Sequence, residues 1–452
     1  MDKTPPPVTR WLAEHASSMT YGDLPDAAVI VARQCILDWF AVTIPGAAEP
    51  AVRILSEELL ADGALPAASL VGAGARSSVL NAALINGTAS HALDYDDVNM
   101  AILGHPTVAV LPGLLALAEQ IDATPQDVIT AFVAGYDVVC RTGALISPGH
   151  YQHGFHATAT IGSVGAAAAC ARLLGLDADT TAMAYGIAST MASGLKSMFG
   201  TMCKPLHAGR AAQNGIQAAR LAARGFTSRP DALECAQGLA ATQSVNFNPE
   251  EAMRELPCDY HIRNNLFKYH ASCYLTHGAI EASVTLRERH ALSSNAIQGI
   301  EIRVPPVTDR VCNIAKPTTG LEAKFSLRLT AALALSGRDT SGIATFSDAM
   351  TKEPELLRLR DMATITFDES YPEAKAKMTV ETSGGERFSA WHDAGVADAD
   401  LDRQGRKLER KFDALVEPLL GERSAQLRTV LAKFGEGNSL ADVMNLARGV
   451  NS

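Results

Sequence analysis

The segment from His91 to Thr107, HALDYDDVNMAILGHPT, holds the densest set of side chains able to move protons. Asp94, Asp96 and Asp97 lie within four residues, and His105 follows in a Gly-His-Pro turn. Apolar, Ala-rich sequence on both sides favours helix, so the pattern predicts a break between two helices with titratable groups at the helix ends. Carboxylates and imidazoles held in such a break are suited to general acid and base chemistry.

Three further segments combine basic side chains with small residues. They are YQHGFHATAT at 151–160, GTMCKPLHAGRAAQNG at 200–215 and FKYHASCYLTHGAI at 267–280. With the acidic segment they supply carboxylates and imidazoles to transfer protons and lysines to hold an anion. We therefore expect a site that removes a proton next to a carboxylate group of a small-molecule substrate and needs no cofactor.

A metal site is the first alternative. The acidic run with His105 could bind a hard cation, and His153 and His156 are spaced three residues apart. Against a metal, the chain has no HExxH motif, no EF-hand spacing and no cysteine partner near these residues. Acidic clusters often serve only as helix caps and solvated turns, so the sequence predicts no metal.

Nucleophilic catalysis is the second alternative. The eight cysteines form no CxxC pair or tight cluster, which favours buried, reduced thiols; Cys203 and Cys273 alone flank other polar candidates. No GxSxG occurs at a strand-to-helix turn, as a serine hydrolase would require. No GxGxxG follows a strand and no phosphate loop is present, so nucleotide cofactors are not indicated.

The composition describes a globular protein with a large core. The chain has 452 residues, of which 47% are hydrophobic and 19% charged, and two domains are expected at this length. A formal net charge of -10 without a basic stripe argues against a nucleic-acid partner. The N-terminus does not read as a signal peptide, and apolar runs such as 107–118 are interrupted, so we expect a cytoplasmic protein without membrane spans.

Helix dominates the expected structure from Pro25 to about residue 245. Asp26–Val42 has apolar residues at helical spacing. A second helix is predicted from Thr124, with Pro125 at its first position and Asp127 closing a capping box. Residues 157–195 are rich in Gly, Ala and Ser, which predicts closely packed central helices.

The pattern changes after about residue 290. Alternating apolar residues in 299–307 and 363–367, with a hairpin turning at 383–385, predict a small antiparallel sheet. Leu321–Leu335 is predicted as a helix between these strands, so this part is expected to be α+β. From Ala399 onward the pattern is helical again. The predicted fold class is mainly α with a smaller inserted α+β domain.

At its four polar segments the sequence resembles the MmgE/PrpD family. The resemblance covers nearly the whole chain, and its most specific motifs are HALDYDDVN with GHPT, GFHATATIGSVGAAAA, KPLHAGRAAQNGI and the stretch from Lys268 to His277 that ends in THGAI. The resemblance implies an all-helical domain at 1–267 and 397–452, an α+β lid at 268–396, a homodimer, and an active site in the cleft between the domains.

The resemblance also assigns roles to individual residues. It implies catalytic roles for Asp94, His105, His156, Lys204 and His277. Substrate-binding roles are expected for Lys204, Lys268, Arg210 and Lys324, with pairing to an acidic neighbour as the alternative for Arg210.

The remaining polar residues of the motifs have simpler interpretations. Asp96 and Asp97 are expected to be helix caps or turn residues. His91 and His207 are expected to be satisfied buried histidines.

Two departures from the family pattern bear on the activity. The decarboxylase pattern has a Thr where this chain has Val98 and a Tyr where it has Leu329, and both changes remove a hydroxyl. The two changes count against cis-aconitate decarboxylation. Because dehydration is the commoner named activity of the family, the resemblance predicts a cofactor-independent lyase of the 2-methylcitrate dehydratase type. The alternatives are an iminodisuccinate epimerase, a cis-aconitate decarboxylase and a catalytically reduced homologue that only binds dicarboxylates.

Overall fold

The computed structural model describes residues 5–256 and 260–449. The chain divides into two compact units. The first unit is formed by Met1–Phe267 together with Leu401–Ser452, and the second unit by Lys268–Asp400. Helices at both ends of the chain thus belong to one unit.

The α-helices and short strands that precede the second unit lie between residues 8 and 252. In chain order they are α1 (Val8–Ser18), α2 (Asp26–Gly46), α3 (Pro50–Ala61), β1 (Ala68–Ser69), β2 (Arg76–Ser77), α4 (Val79–Ala92), α5 (Pro106–Ile121), α6 (Pro125–Ile146), α7 (Gly149–Gln152), α8 (Ala157–Leu173), α9 (Ala178–Met191), α10 (Cys203–Ala223), α11 (Leu239–Gln243) and α12 (Pro249–Ala252).

The second unit mixes helices and strands, and helices follow it. Its elements are α13 (His277–His290), β3 (Ile297–Val304), α14 (Val307–Val311), α15 (Gly320–Ala323), α16 (Leu327–Leu335), α17 (Pro354–Met362), β4 (Ala363–Phe367), β5 (Lys375–Thr382) and β6 (Arg387–Asp393). The C-terminal helices of the first unit are α18 (Leu401–Leu420), α19 (Glu422–Ala432) and α20 (Leu440–Leu446). The predicted class, mainly α with a smaller α+β part, is confirmed, and the two-residue hairpin of β1 and β2 is a small exception to an all-helical first unit.

Helix α8 lies at the centre of the first unit and packs against α5, α6, α9 and α10. It is buried from Ala157 to Ala171, and most of these residues are Ala, Gly, Ser or Thr. A Cβ atom added at Gly215 of α10 would overlap the Cβ of Ala166. The small residues therefore let the helices approach closely, as the sequence predicts.

Glycines also bring α4 against α10. A Cβ atom added at Gly87 of α4 would lie 2.6 Å from the Cα of Gly209 in α10, and one added at Gly209 would overlap the carbonyl oxygen of Leu84. Larger side chains at this crossing would push the two backbones apart. The crossing fixes the end of α4 relative to the start of α10.

Two helices are longer than the interrupted apolar runs of the sequence suggest. By length and composition alone, α2 and α6 could each cross a membrane. In the structure, 78% of the most apolar window of α2 and 94% of that of α6 are buried inside the protein. Burial of this extent is typical of core helices.

The second unit contains a four-stranded sheet in the order β4-β3-β5-β6. The β5–β6 hairpin is antiparallel, as predicted, but β4 pairs with β3 in parallel, so the expectation of a purely antiparallel sheet is wrong. Parallel neighbours need a crossover, and α17 precedes β4 in that connection. The helix predicted over 321–335 is also broken, because the side chain of Ser326 caps a new helix by accepting a hydrogen bond from the backbone N–H of Leu329.

Candidate active site

Three helices of the first unit start where the predicted polar residues lie. His105 is the N-cap of α5, His156 is the N-cap of α8, and Lys204 is the second residue of α10. Neither histidine side chain caps its own helix, so both rings are free to make other contacts. Helix N-termini carry partial positive charge from unpaired N–H groups and attract anions.

Asp94 follows the end of α4 in a left-handed backbone conformation, with φ 51°. Asp is one of the few residues besides Gly that tolerate this conformation. The carboxylate Oδ1 of Asp94 lies 2.7 Å from Nζ of Lys204. The side chain of Asp94 is 58% exposed and that of Lys204 only 18%, so the ion pair lies at the open side of the cluster.

Asp96 is buried and lies between two histidines. Its two oxygens are each 3.0 Å from Nδ1 of His91, and its Oδ2 is 2.8 Å from Nδ1 of His105. Burial alone would raise the pKa of Asp96, but the two imidazoles outweigh burial and hold this pKa well below its usual range. Asp96 is therefore an ionised carboxylate that orients two rings, and not the helix cap or turn residue that the sequence predicts.

The contacts of His105 define its tautomer. Its Nδ1 lies 2.8 Å from the Asp96 carboxylate and 2.8 Å from the backbone oxygen of Asp97, and both atoms are acceptors. Nδ1 must therefore carry the hydrogen, which leaves the lone pair on Nε2 available. Nε2 lies 3.9 Å from Oδ1 of Asp94. His105 is thus arranged to accept a proton on the side that faces Asp94.

His156 pairs with a second histidine. Its Nδ1 lies 3.0 Å from Nδ1 of His207, so one of these atoms donates and the other accepts. Burial, followed by the neighbouring histidines and Lys204, strongly lowers the pKa of His156, which keeps the ring neutral. The ring of Phe199 meets His156 edge-on at 4.9 Å between centroids and lies 5.4 Å from Nζ of Lys204. His156 therefore offers a neutral imidazole to the site.

The side chain of Asp97 takes no part in this cluster, although its backbone oxygen contacts His105. It is buried and accepts hydrogen bonds from Oγ1 of Thr107 and, at 2.9 Å, from Nδ2 of Asn265. Burial raises its pKa to about 7. Asp97 is thus a buried carboxyl beside the site, and it does not cap a helix.

Four side chains of the cluster have donor atoms close enough for a metal ion. One ligand atom from each of His91, Asp94, Asp96 and His105 lies within 4.8 Å of the others. The two carboxylates among these donors are already engaged, since Asp96 pairs with two imidazoles and Asp94 with Lys204. His153 is exposed whereas His156 is buried, so the predicted alternative pair does not present one face to a ligand.

Further predicted residues lie in the second unit. His277 begins α13 and is buried, and its Nε2 has no hydrogen-bond partner among the described residues. His270 meets it edge-on at 4.9 Å, with Nδ1 2.7 Å from Oγ1 of Thr340 and Nε2 3.3 Å from Glu281. These polar side chains are buried together around the start of α13.

The two lysines predicted in the second unit differ in exposure. Lys268 is 4% exposed. Lys324 is half-buried between α15 and α16, where its backbone oxygen accepts a hydrogen bond from the N–H of Cys273.

The side chain of Arg210 points away from that of Lys204 on α10. Arg210 lies six residues further along α10, which turns its side chain about 120° away at about 100° per residue. Its side chain is exposed, and its Nη1 lies 2.6 Å from Oε1 of Gln213. The structure thus brings together Asp94, His105, His156 and Lys204 in the first unit, without Arg210.

Sequence reasoning undervalued His91 and Asp96. His91 is 1% exposed, but its Nε2 has no hydrogen-bond partner among the described residues, so it is not the satisfied buried histidine that was expected. The sequence offers one signal for this pair: His91 lies in the last turn of α4 and Asp96 five residues later, across the helix end. A chain reversal there allows the side chains to meet.

Comparison with known proteins identifies the family of the chain. Residues 10–252 match the MmgE/PrpD N-terminal domain, and residues 270–434 match the MmgE/PrpD C-terminal domain. Cis-aconitate decarboxylase of Homo sapiens is 28% identical over 356 residues, 75% of this chain and 73% of the human protein. The enzyme of that name from Mus musculus is 28% identical over 394 residues, 81% of this chain and 78% of the mouse protein.

A fungal protein gives a similar result. Cis-aconitate decarboxylase of Aspergillus terreus is 26% identical over 388 residues, 80% of this chain and 79% of the fungal protein. The two domain matches together span most of the chain, including every residue of the cluster in the first unit. The chain belongs to the MmgE/PrpD family.

Proposed function

We propose that this protein is a cofactor-independent lyase that acts on small di- or tricarboxylates, with dehydration of a 2-methylcitrate-like substrate as its reaction. The observation that carries the proposal is the pairing of His105 with the buried carboxylate of Asp96, next to Lys204. This arrangement provides a base, a group that stabilises the protonated base, and a cation for the substrate.

Substrate binding is supported by one ammonium group and three helix N-termini in the site. Lys204 presents an ammonium group, and the starts of α5, α8 and α10 add the partial charges of their N–H groups. A substrate carboxylate would share Lys204 with Asp94, and charge-assisted hydrogen bonds of this kind fix orientation as well as affinity. The site is thus suited to anions with more than one acidic group.

Proton removal is assigned to His105. Its free Nε2 accepts the proton from the carbon next to a carboxylate, and the imidazolium that results is stabilised by Asp96 at Nδ1. Negative charge then develops on the substrate carboxylate. Lys204 and the neutral imidazole of His156 are placed to stabilise it in a largely buried setting.

The second half of the reaction returns this proton. In dehydration the carbon–oxygen bond breaks, and the departing hydroxide takes the proton from the imidazolium of His105, so that water and an alkene are released. His105 is neutral again at the end, which closes the cycle without a cofactor.

Decarboxylation is the second candidate, and the relatives named cis-aconitate decarboxylase favour it. In that reaction a carbon–carbon bond breaks to release carbon dioxide, and the carbanion takes a proton from protonated His105. Two residues count against it, because neither Val98, which is half-buried, nor Leu329, which is buried in α16, carries the hydroxyl of the decarboxylase pattern. We therefore favour dehydration.

Proton NMR in heavy water tests the proposal. The protein is mixed in separate tubes with 2-methylcitrate, citrate, cis-aconitate and iminodisuccinate. Loss of water from a hydroxy acid supports the dehydratase, and loss of carbon dioxide from cis-aconitate supports the second candidate. Deuterium entering next to a carboxylate with an unchanged skeleton would replace the lyase by an epimerase.

Matched variants connect the reaction to the site. His105→Asn removes the base, and we expect the rate to fall by about two to four orders of magnitude. His153→Asn makes the same substitution at an exposed position and should retain full activity. Equal rates for both variants, or no reaction and no deuterium exchange with any of the four compounds, would contradict the proposed function.

A further inference from the structure

His91 occupies a place that the reaction described above does not use. It lies in the last turn of α4, it is 1% exposed, and its Nδ1 is 3.0 Å from both oxygens of Asp96. Because Asp96 is ionised and can only accept, Nδ1 of His91 must carry the hydrogen. The Nε2 atom is then an unprotonated nitrogen, buried and without a hydrogen-bond partner among the described residues.

One carboxylate is therefore shared by two imidazoles. The rings of His91 and His105 are tilted against each other with centroids 4.6 Å apart, and each directs an Nδ1 hydrogen to Asp96. Two imidazolium ions this close together would repel each other strongly in a buried site. Only one of the two rings can take up a proton at a time.

We infer that His91 is a positioning residue, which holds the Asp96 carboxylate in place for His105 and limits how tightly His105 holds its proton. This inference rests on the proposed function in one respect, namely that His105 is the base. His91 is not a catalytic residue in this role, because it acts on the reaction only through Asp96.

The surroundings of His91 determine which ring stays neutral. Asp96 favours a charged His91, whereas Lys204 and His105 oppose it, and the ring of His156 stacks against it at 5.9 Å. Burial has the largest effect and lowers the pKa of His91 to about 4. His91 thus remains a neutral donor while His105, whose side chain is 13% exposed, exchanges protons with the substrate.

Loss of the His91 donor has a defined consequence. With one hydrogen bond fewer, the charge of Asp96 is left to His105 alone, so the imidazolium form of His105 becomes more stable. We expect His105 to titrate about one pH unit higher in His91→Leu. The acidic limb of the kcat/KM profile should move to higher pH by the same amount. KM should stay unchanged, because His91 is buried beneath the site.

His91→Asn serves as the matched variant, since its side-chain amide can donate near the position of Nδ1. We expect it to restore a titration close to that of the wild-type protein. A role in packing alone would give a different pattern, with both variants losing stability and neither changing the titration of His105.

Nitrogen NMR of histidine-labelled full-length protein measures the titration directly, and His105→Asn assigns the signal. The inference is supported if His105 carries its hydrogen on Nδ1 and its midpoint rises in His91→Leu but not in His91→Asn. Identical midpoints in folded wild-type and His91→Leu protein would overturn it. If His91→Leu does not fold, the wild-type spectrum still decides, because a charged His91, or one protonated on Nε2, near neutral pH contradicts the inference.

The two proposals fail in different ways. Absence of turnover with every carboxylate tested would count against the lyase and leave the NMR titration unaffected. A lyase that is active while His91→Leu keeps the wild-type pH profile would retain the proposed function and remove the role of His91.

Discussion

The ammonium group of Lys204 lies 2.7 Å from the carboxylate of Asp94, a residue 110 positions earlier in the chain. The carboxylate side chain is 58% exposed, and exposed ion pairs contribute roughly 0 to 1 kcal/mol to stability. An ion pair that adds so little to folding, yet fixes a lysine at the start of a helix beside two histidines, has its main consequence for binding. Lys204 is therefore positioned to bind an anion.

Lys204→Ala should separate binding from folding. We expect the rate to fall by at least about two orders of magnitude, because the substrate carboxylate loses its charged partner. The melting temperature, measured by circular dichroism, should change by no more than a few degrees. Arg224→Ala removes an exposed cation just after the same helix and should change neither quantity. A fully active Lys204→Ala would exclude this residue from the site.

Gly209→Ala tests how the helices position the cluster. The new Cβ would overlap the carbonyl oxygen of Leu84 in α4, which is backbone and cannot rotate away. We expect a loss of roughly 1 to 3 kcal/mol in the free energy of unfolding, together with reduced activity, because α10 carries Lys204. Gly22→Ala is the control, since its Cβ would meet nothing within 4 Å. Equal urea midpoints for the two variants would contradict this account of the crossing.

Local features of the fold were predictable from the sequence. The capping box of Thr124 and Asp127 forms at the start of α6 as expected, because it depends only on residues within one turn. The hairpin at 383–385 is equally local. The parallel pairing of β3 with β4 was missed because it joins segments about sixty residues apart, and strand patterns alone do not specify direction.

The candidate site was predictable as a set of segments but not as a geometry. Carboxylates, histidines and a lysine near helix breaks indicated acid and base chemistry, and four of the predicted residues do lie together in the first unit. The different contacts of Asp96 and Asp97 could not be predicted from the sequence. Adjacent carboxylates point in different directions, one towards two imidazoles and the other towards Asn265, and only the folded backbone determines which is which.

The raised pKa of Asp97 leads us to expect an unusual dependence of stability on pH. Its pKa of about 7 in the folded protein exceeds the value of about 3.9 in an unfolded chain. Between these values the folded protein holds a proton that the unfolded chain has released, so this group makes the free energy of unfolding fall as pH rises from about 4 to about 7. The dependence is lost outside that window.

Asp97→Asn should remove this contribution, because the amide has the shape of the protonated acid. Its carbonyl can accept the hydrogen bonds from Thr107 and Asn265. Relative to the variant, wild-type protein should lose at most about 1.4 kcal/mol per pH unit across the window. Urea unfolding at several pH values measures the difference, and parallel stability curves for the two proteins would show that Asp97 is ionised at neutral pH.

Removal of metal ions should leave the activity unchanged. His91, Asp94, Asp96 and His105 place donor atoms within 4.8 Å of one another, a spacing that a divalent ion could use. In the structure the carboxylate of Asp96 instead pairs with the two Nδ1 atoms and that of Asp94 with Lys204, so a metal would have to compete with these partners for both carboxylates. Protein dialysed against EDTA, with its metal content measured, is therefore expected to react at the rate of untreated protein. Activity that disappears on dialysis and returns with one added divalent metal would turn this cluster into a metal centre and reassign His105 from base to ligand.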